Sequence, residues 1–356
     1  MKRTLSLALA VLLACPLLTA CGGSSTPSNG EINVLNWGEY ISDGQDGSLD
    51  VCAKFTEETG IKVNYSVCPD NETLYSTLKS GGSGYDVIIP SDYMISRLIG
   101  EGMLETLDFD NIPNAKAVDP QFLNPDYDPD NAYSVPYMWG TVGIIYNTSI
   151  VTEEITSWQS LFDTKYAGQV LMINNSRDAI GVALKALGYS YNTTDQGQIT
   201  QAVDLLIRQK QDGIVQSYVM DEIFDKLEGG EAAIGVYYAG DYLTMHENNP
   251  DLAFAVPSEG SNLFTDAMCI PKGASNKAGA EAFINFMCST EAGVANCEAI
   301  GYSTPLSTVR EALDPEITAD PVAYPSDEVL ARCETFLNLP AETLQFYDSE
   351  WLRLKA

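Results

Sequence analysis

The chain has 356 residues, of which 45% are hydrophobic and 10% aromatic, and its 49 acidic against 19 basic residues give a formal net charge of −30. This length suffices for two medium domains with sizeable cores. The charge argues against a nucleic-acid-binding surface, because such a surface needs Lys and Arg to displace the counterions of phosphates. An acidic surface instead favours solubility and the attraction of cations.

Residues 1–21 are predicted to be a bacterial lipoprotein signal. A basic start precedes an apolar stretch that is too short and too rich in Ala for a membrane span. The stretch ends in LTAC at 18–21, which resembles a lipobox, so we expect Cys21 to carry diacylglycerol after cleavage. The small polar residues 22–30 predict a flexible tether. The protein is therefore expected to be exported and lipid-anchored on the outer face of the cell membrane, or periplasmic in a host with two membranes.

The exported location permits disulfides among the cysteines beyond the lipobox. We expect one bridge between Cys52, on a predicted helix, and Cys68, at the end of the strand that follows it. The sequence alone does not pair the other four, which are Cys269, Cys288, Cys297 and Cys333. With one histidine, His246, and no CxxC pair, the sequence predicts no zinc site.

Beyond the tether, predicted strands alternate with predicted helices. Apolar runs predict strands at 32–37, 62–67, 85–90, 142–147, 170–174, 233–238 and 252–257. Apolar residues at helical spacing predict helices at 47–60, 71–82, 91–102, 176–188, 199–210 and 278–289. Asn71 and Ser91 are the expected N-caps of the second and third helices. This alternation predicts an α/β fold with parallel strands covered by helices.

Aromatic and acidic side chains recur where predicted strands end. Four such strand exits lie at 37–40, 91–93, 174–178 and 238–241. In open α/β sheets, ligands bind at the carboxyl ends of the strands. Acids at these positions also cap helices. Four exits of this composition in one chain nevertheless favour a ligand site that attracts a cation.

Nine segments in a fixed order carry a resemblance to a known family. They are LNWGEYI, FTEETGIKVNYS, NETLYSTLKSG, YDVIIPSDYMI, YSVPYMWGTVGIIYN, TSWQSLF, ALGYSYNTTD, AFINFM and IGYSTP. Their order and spacing, over roughly 300 residues, resemble the substrate-binding proteins of polyamine ABC transporters, of the spermidine/putrescine-binding type.

The resemblance implies a two-lobed periplasmic-binding-protein fold, α/β and type II-like, with two mixed sheets flanked by helices, a hinge and a cleft between the lobes. Lobe one would contain 31–139 and 265–309, and lobe two 140–264 and 310–356. The lobes would close around the ligand by hinge motion. The implied partners are the permease and ATPase subunits of an importer. We expect a monomer without catalytic residues, metal or cofactor.

A polyamine joins an aliphatic chain to terminal ammonium groups. It therefore needs flat apolar walls and a carboxylate for each desolvated ammonium group. By the resemblance, the walls are Trp37, Tyr40, Tyr93, Tyr238 and Phe264. The acids implied in the same way are Glu39, Asp178, Asp241 and Asp266, and the polar residues Ser91 and Asn175 complete the expected site.

The chain departs from the family at four of these positions, one of which is Asp178, where the resemblance implies a glutamate that is one methylene longer. Tyr238 and Phe264 stand where tryptophans are usual, and Asn175 or a neighbour replaces an aspartate of the spermidine-binding relatives. An amide accepts a hydrogen bond but cannot neutralise an ammonium group, so the choice between putrescine and spermidine stays open. A glutamine of some relatives aligns roughly with Phe336, which is therefore not assigned to the site.

Other functions remain open at this point. The same fold can bind ferric iron or thiamine, and the pair Tyr237-Tyr238 keeps iron among the alternatives. A polyamine sensor or adhesin without a permease is a further reading. Anionic ligands fit poorly, because few arginines lie near the strand exits. Arg177 is the exception. The sequence shows no nucleophile elbow, phosphate loop or metal-spaced histidines, so it does not predict an enzyme.

Overall fold

The computed structural model describes residues 30–81 and 84–356. The predicted signal at 1–21, including Cys21, and residues 22–29 of the predicted tether lie outside the described residues. Within the part of the chain that is described, no helix is both long enough and apolar enough to cross a membrane.

Nine strands form the sheets of the described chain. They are β1 (Glu31–Asn36), β2 (Lys62–Val67), β3 (Val87–Ile88), β4 (Ser134–Asn147), β5 (Val170–Ile173), β6 (Val215–Val219), β7 (Ile234–Tyr238), β8 (Leu252–Ala255) and β9 (Leu263–Cys269). The strand order is β2-β1-β3-β9-β4-β7-β5-β6, with β8 paired to β4. Strand β1 is parallel to β2 and β3, and β5 is parallel to β6 and β7. Strand β9 is antiparallel to β3 and β4, and β4 is antiparallel to β7 and β8.

The long strand β4 joins two mixed sheets. Its first part pairs with β9 as far as Thr141, which lies opposite Leu263. From Val142, which lies opposite Tyr238, its second part pairs with β7 and β8. The α/β fold with two mixed sheets flanked by helices, which the resemblance implies, is therefore confirmed. The parallel arrangement predicted from the alternation is wrong for β4, which is antiparallel to β7 and β8.

The helices are α1 (Val51–Thr59), α2 (Asn71–Lys79), α3 (Asp92–Gly100), α4 (Ser176–Ala186), α5 (Gln196–Gln211), α6 (Ile223–Glu228), α7 (Ala239–Asn248), α8 (Lys277–Met287), α9 (Thr290–Ile300), α10 (Ser307–Arg310), α11 (Pro315–Ala319), α12 (Asp327–Leu330) and α13 (Ala341–Lys355). Short 3-10 helices lie at Gln45–Gly47, Phe109–Asn111, Pro113–Ala117, Pro120–Phe122, Trp158–Phe162 and Thr164–Tyr166. Every helix predicted from the sequence is present, whereas α6, α7 and α9–α13 lie outside the predicted segments.

The N-cap of α2 differs from the prediction, whereas Ser91 is the N-cap residue of α3 as predicted. Helix α2 is capped by Asp70, whose side chain accepts a hydrogen bond from the Thr73 backbone N–H. Asn71 is the first residue of that helix, and its side-chain amide donates to Ser91 Oγ at 3.0 Å. Ser91 occupies the N-cap position of α3, but its side chain makes no capping hydrogen bond. The Ser91 hydroxyl group instead accepts the hydrogen bond from Asn71, which connects the start of α3 to α2.

The predicted disulfide between Cys52 and Cys68 is absent, and both are free thiols in the structure. The Cys68 sulfur lies 3.6 Å from the carbonyl oxygen of Asn36 on β1, so its side chain is directed at the neighbouring strand. Cys52 lies on α1 and is half-buried. Burial raises the pKa of each thiol to about 12, which keeps both protonated at neutral pH.

Candidate functional site

A cavity of ≈ 120 Å³ lies between the two sheets. Ten of the eleven predicted ligand residues line it: Trp37, Tyr40, Ser91, Tyr93, Asn175, Asp178, Tyr238, Asp241, Phe264 and Asp266. These residues follow the carboxyl ends of β1, β3, β5 and β7 or lie on β9. The topology therefore brings the four predicted strand exits to one place, as expected for open α/β sheets. Their role in binding remains a prediction.

Glu39 is the predicted residue that the structure does not bring to the cavity. It is exposed and lies in a turn with a positive φ of 45°. Its side chain lines a neighbouring open groove of ≈ 1450 Å³ instead. Because the backbone of Glu39 is in the left-handed conformation, the chain changes direction there, and the Glu39 side chain is not oriented like those of Trp37 and Tyr40.

Each of the three predicted carboxylates on the cavity accepts a hydrogen bond from a tyrosine hydroxyl. The pairs are Tyr40 to Asp266 Oδ2 at 2.8 Å, Tyr238 to Asp178 Oδ2 at 3.2 Å and Tyr302 to Asp241 Oδ2 at 2.8 Å. All three acids are buried. The ion pairs within residues 30–81 and 84–356 involve other acids, so no basic side chain is salt-bridged to any of the three.

Burial dominates the ionisation of these acids. Removal from water, opposed by the hydrogen bond from Tyr302 and assisted by the nearby charges of Asp221 and Glu39, raises the pKa of Asp241 to about 8. Burial likewise raises the pKa of Asp178 to about 7 and that of Asp266 to about 6, although hydrogen bonds oppose both shifts. A buried acid with a raised pKa is ready to ionise when a cation arrives.

Aromatic rings form the walls between these acids. The rings of Tyr238 and Phe264 meet edge to face at 5.4 Å, and those of Tyr40 and Tyr302 at 4.7 Å. Tyr238 and Phe264, which stand where tryptophans are usual in the family, therefore still present rings that pack against each other. Such walls suit an aliphatic chain, and their faces attract cations.

Asn175 lies on the cavity, but its amide oxygen is already engaged. It is the N-cap of α4 and accepts hydrogen bonds from the backbone N–H groups of Arg177 and Asp178. Only its amide nitrogen, a donor, is left for a ligand. An ammonium group is itself a hydrogen-bond donor. The only side-chain acceptor that Asn175 offers it is the amide oxygen that already caps α4.

Sequence reasoning missed several lining residues, namely Asp221, Asn262, Tyr302 and Phe336. Asp221 follows β6, so recognition of that strand would have identified it as a fifth acidic strand exit. Tyr302 lies in the segment IGYSTP, which carried the resemblance without an assigned role. Phe336 lies in an irregular segment before α13, and the only signal for it was its rough alignment with a glutamine of some relatives.

The cavity shows no arrangement typical of a metal site. Within the described residues, no group of three or more His, Cys, Asp or Glu could hold a metal ion. The Tyr237 hydroxyl donates to Asp221, whereas the Tyr238 hydroxyl donates to Asp178. Burial raises the pKa of both tyrosines well above the usual value, which favours neutral phenols over the tyrosinates that bind ferric iron.

Comparison with known proteins identifies the family. Residues 50–325 match the family described as bacterial extracellular solute-binding protein. The chain belongs to this family. Members bind solutes, and the cavity between the two sheets agrees with that coarse description.

Two curated relatives of this family member are similar over nearly their full length. The chain is 34% identical to the spermidine/putrescine-binding periplasmic protein 1 of Haemophilus influenzae, over 100% of this chain and 99% of the relative. It is 30% identical to the putrescine-binding periplasmic protein SpuD of Pseudomonas aeruginosa, over 100% and 99%. Among solved structures, a putative spermidine/putrescine ABC transporter protein from Listeria monocytogenes superposes with a TM-score of 0.87 at 38% identity, covering 91% of this chain and 98% of that one.

Proposed function

We propose that the protein captures a polyamine in the cavity between its sheets and delivers it to the permease of an ABC importer. One observation carries the proposal: three buried carboxylates on the cavity form no salt bridge with a basic side chain of the described residues. Burying a charge is costly unless an opposite charge accompanies it. A ligand with several ammonium groups provides those charges, and the relatives named above are polyamine-binding proteins by name.

Two kinds of side chain in the cavity lining would contact different parts of the polyamine. Asp178, Asp241 and Asp266 would accept hydrogen bonds from ammonium groups, which are strong because both partners are charged. The rings of Trp37 and Phe264 would cover the methylene groups between them. Aromatic walls exclude water from the carboxylates and thereby strengthen the electrostatic attraction.

We infer that the lobes follow the boundaries predicted from the sequence, with 31–139 and 265–309 in one and 140–264 and 310–356 in the other. The change of partner of β4 between Thr141 and Val142 supports a boundary there. Asp221, from lobe two, approaches Gly38, from lobe one, so closely that a Cβ atom on Gly38 would lie 2.6 Å from its Oδ2 atom. Such contact is what the proposed lobes would make when they close on each other.

The export signal and the lipid anchor at Cys21 complete the proposed role, because an anchored protein stays beside its permease. Mass spectrometry of the protein purified from bacterial membranes tests this directly. We expect the N-terminal peptide to begin at Cys21 and to carry diacylglycerol, and a Cys21→Ser variant to lack it. An unmodified peptide would contradict the anchor without affecting the proposal on the ligand.

Calorimetric titration tests the proposed ligand. The full exported protein, purified in detergent and stripped of bound ligand, is titrated with putrescine, cadaverine, spermidine and spermine. We expect micromolar or tighter binding of at least one of them, about −8 kcal/mol or stronger. Absence of heat with all four, from protein shown to be folded by circular dichroism, would overturn the proposal.

A further inference from the structure

Strand β9 and the residue before it present alternate side chains to two different cavities. Asn262, which directly precedes the strand, lines the cavity between the sheets together with Phe264 and Asp266. Leu263 and Thr265, which lie between them in sequence, line a neighbouring cavity of ≈ 290 Å³ instead. This alternation is that of an extended chain, in which successive side chains point to opposite faces. Asn262 therefore lies on the same face of the chain as two residues of the proposed ligand site.

The backbone around Asn262 is fixed by two neighbouring segments. Its carbonyl oxygen accepts a hydrogen bond from the Val142 N–H at 3.1 Å, at the point where β4 changes its partner strand. An isolated β-bridge also joins Asn262 to Glu334. The residue is 2% exposed. A side chain on such a backbone is presented to the cavity more precisely than a side chain on a loop.

The two ends of the Asn262 side chain have different surroundings. The amide nitrogen donates to Asp178 Oδ1 at 3.4 Å. The amide oxygen is buried and has no hydrogen-bond partner among residues 30–81 and 84–356. The reverse orientation of the amide would place its oxygen against the carboxylate, so that two acceptors would face each other. Asn262 therefore has its donor engaged by Asp178 and its acceptor free.

The free acceptors at this end of the cavity match the donors of a primary ammonium group. Asp178 accepts one hydrogen bond on each oxygen, from Tyr238 and from Asn262. Each carboxylate oxygen has a second lone pair, and the Asn262 oxygen adds a third acceptor position. A primary ammonium group has three N–H donors, whereas a secondary one has two and a quaternary one has none. A buried acceptor that is left without a donor is costly, so a primary ammonium group suits this end best.

We propose that Asn262 contacts the ligand directly, its amide oxygen accepting a hydrogen bond from the primary ammonium group that Asp178 neutralises. The inference rests on the proposed function and specifies the chemistry of one end of its ligand, which is an unsubstituted aminoalkyl group. Asp266, on the same face of the chain, holds another ammonium group, and the Phe264 ring between them covers methylene groups. Asn262 thus extends the proposed site by a residue that carries no charge.

Two substitutions at position 262 separate contact with the ligand from positioning of Asp178. Asn262→Leu removes both the acceptor and the donor with little change of shape. Asn262→Asp keeps an acceptor oxygen for the ligand but removes the donor to Asp178. The full exported protein is titrated with putrescine at pH 8.5, where Asp178, with a pKa of about 7, is ionised.

The proposal predicts different results for the two variants. We expect Asn262→Leu to weaken putrescine binding about tenfold or more, because a hydrogen bond from a charged donor is lost. Asn262→Asp should bind putrescine at least as tightly as the wild type, because the acceptor remains and the two acids together keep at least one negative charge. Asn64→Leu, on β2 and on neither cavity, is the matched control and should leave the affinity unchanged.

A second ligand tests the primary ammonium group. N,N′-dimethylputrescine has two N–H donors on each nitrogen, so one acceptor position at the Asp178 end stays unfilled. We expect the wild type to bind it about tenfold less tightly than putrescine. Asn262→Leu should discriminate clearly less between the two diamines, because it lacks the acceptor that the third donor uses.

The outcomes separate the inference from the proposed function. Wild-type affinity for putrescine in folded Asn262→Leu would overturn the inference and leave polyamine binding intact. Equal losses in Asn262→Leu and Asn262→Asp would also overturn it, because the amide would then act only by positioning Asp178. Unchanged discrimination between the two diamines in Asn262→Leu would exclude the primary ammonium group at this position. If Asn262→Leu does not fold, Asn262→Ala takes its place with the same expectations. Failure of the wild type to bind any polyamine would reject the proposed function and the inference together.

Discussion

The Tyr40 hydroxyl donates a 2.8 Å hydrogen bond to Asp266 Oδ2, which links the exit of β1 to the centre of β9 across 226 residues of sequence. The same acid lies in an isolated β-bridge with Ser91, at the start of α3. Three elements that are distant in sequence thus meet at Asp266, with the Tyr40 hydroxyl at its carboxylate and Ser91 at its backbone.

Asp266→Asn should weaken polyamine binding more than tenfold while the fold survives. The amide has nearly the shape of the carboxylate and can keep the bond from Tyr40, but it cannot neutralise an ammonium group. Truncation of one partner of a buried charge pair costs roughly 2–5 kcal/mol. Titration calorimetry measures the loss, with Asp130→Asn, in an exposed loop, as the control. Wild-type affinity in the folded variant would remove Asp266 from the ligand site.

Polyamine binding should strengthen as the pH rises from about 5 to about 8 and then level off. Burial raises the pKa values of Asp266, Asp178 and Asp241 to about 6, 7 and 8 in the ligand-free protein. A bound ammonium group favours the ionised acids, so binding releases protons wherever the acids are still protonated. Titrations at pH 7 in two buffers with different ionisation enthalpies should show this proton release. Equal heats in both buffers would contradict it.

The same burial should make the ligand-free protein less stable at high pH. The pKa of Asp241 is about 8 in the folded chain, whereas an unfolded aspartate has a pKa of about 3.9. Between these values the folded state holds the proton more tightly, so stability falls as the pH rises from about 4 to about 8. Asp241→Asn should therefore melt a few degrees above wild type at pH 8 and near the wild-type temperature at pH 4.

Thermal melts at both pH values, with and without putrescine, check this expectation. Saturating putrescine should stabilise the wild type more than the variant, because the ligand binds only the folded state and needs the carboxylate. Asp130→Asn should show neither effect. A variant that melts below wild type at pH 8 would mean that ionised Asp241 has a stabilising partner in the folded chain.

The sequence predicted most of the cavity, because alternating elements determine where strand exits meet. A run such as 170–174 reads as a buried strand from its composition, and its parallel neighbours β6 and β7 place their exits at the same edge of the sheet. Strand β9 escaped prediction for a related reason. It carries Thr265 and Asp266 in its middle, so no apolar run marks it, although six of its seven residues are buried. Asp266, one of the polar residues that interrupt the apolar pattern of this strand, also lines the cavity.

The remaining differences depend on geometry that composition does not carry. Glu39 belonged to the correct strand exit, but a positive φ turned its side chain into the outer groove. Asn175 was placed correctly, and its use as a helix cap emerged only from its two backbone donors. Proximity in sequence suggested the pair Cys52 and Cys68, whereas the Cys68 sulfur is directed at the backbone of β1. Phe336 reaches the cavity through an irregular segment, for which no periodicity applies.

The approach of Gly38 to Asp221 predicts that a side chain at position 38 disturbs the contact between the two proposed lobes. A Cβ atom there would lie 2.6 Å from Asp221 Oδ2, and the Tyr237 hydroxyl holds the other carboxylate oxygen at 3.0 Å. Gly38→Ala must therefore displace the carboxylate or keep the lobes apart. Overpacking of this kind costs about 1–3 kcal/mol, so we expect polyamine binding to weaken about tenfold.

A double-mutant cycle separates this clash from other effects of the alanine. Asp221→Ala removes the obstructing oxygen, so Gly38→Ala should cost little when introduced into that background, and the coupling between the two changes should exceed 0.5 kcal/mol. Affinities of the four proteins for the same polyamine give the coupling directly. If Gly38→Ala weakens binding equally in both backgrounds, the loss comes from the β1 exit itself, and contact between Gly38 and Asp221 is not what limits closure.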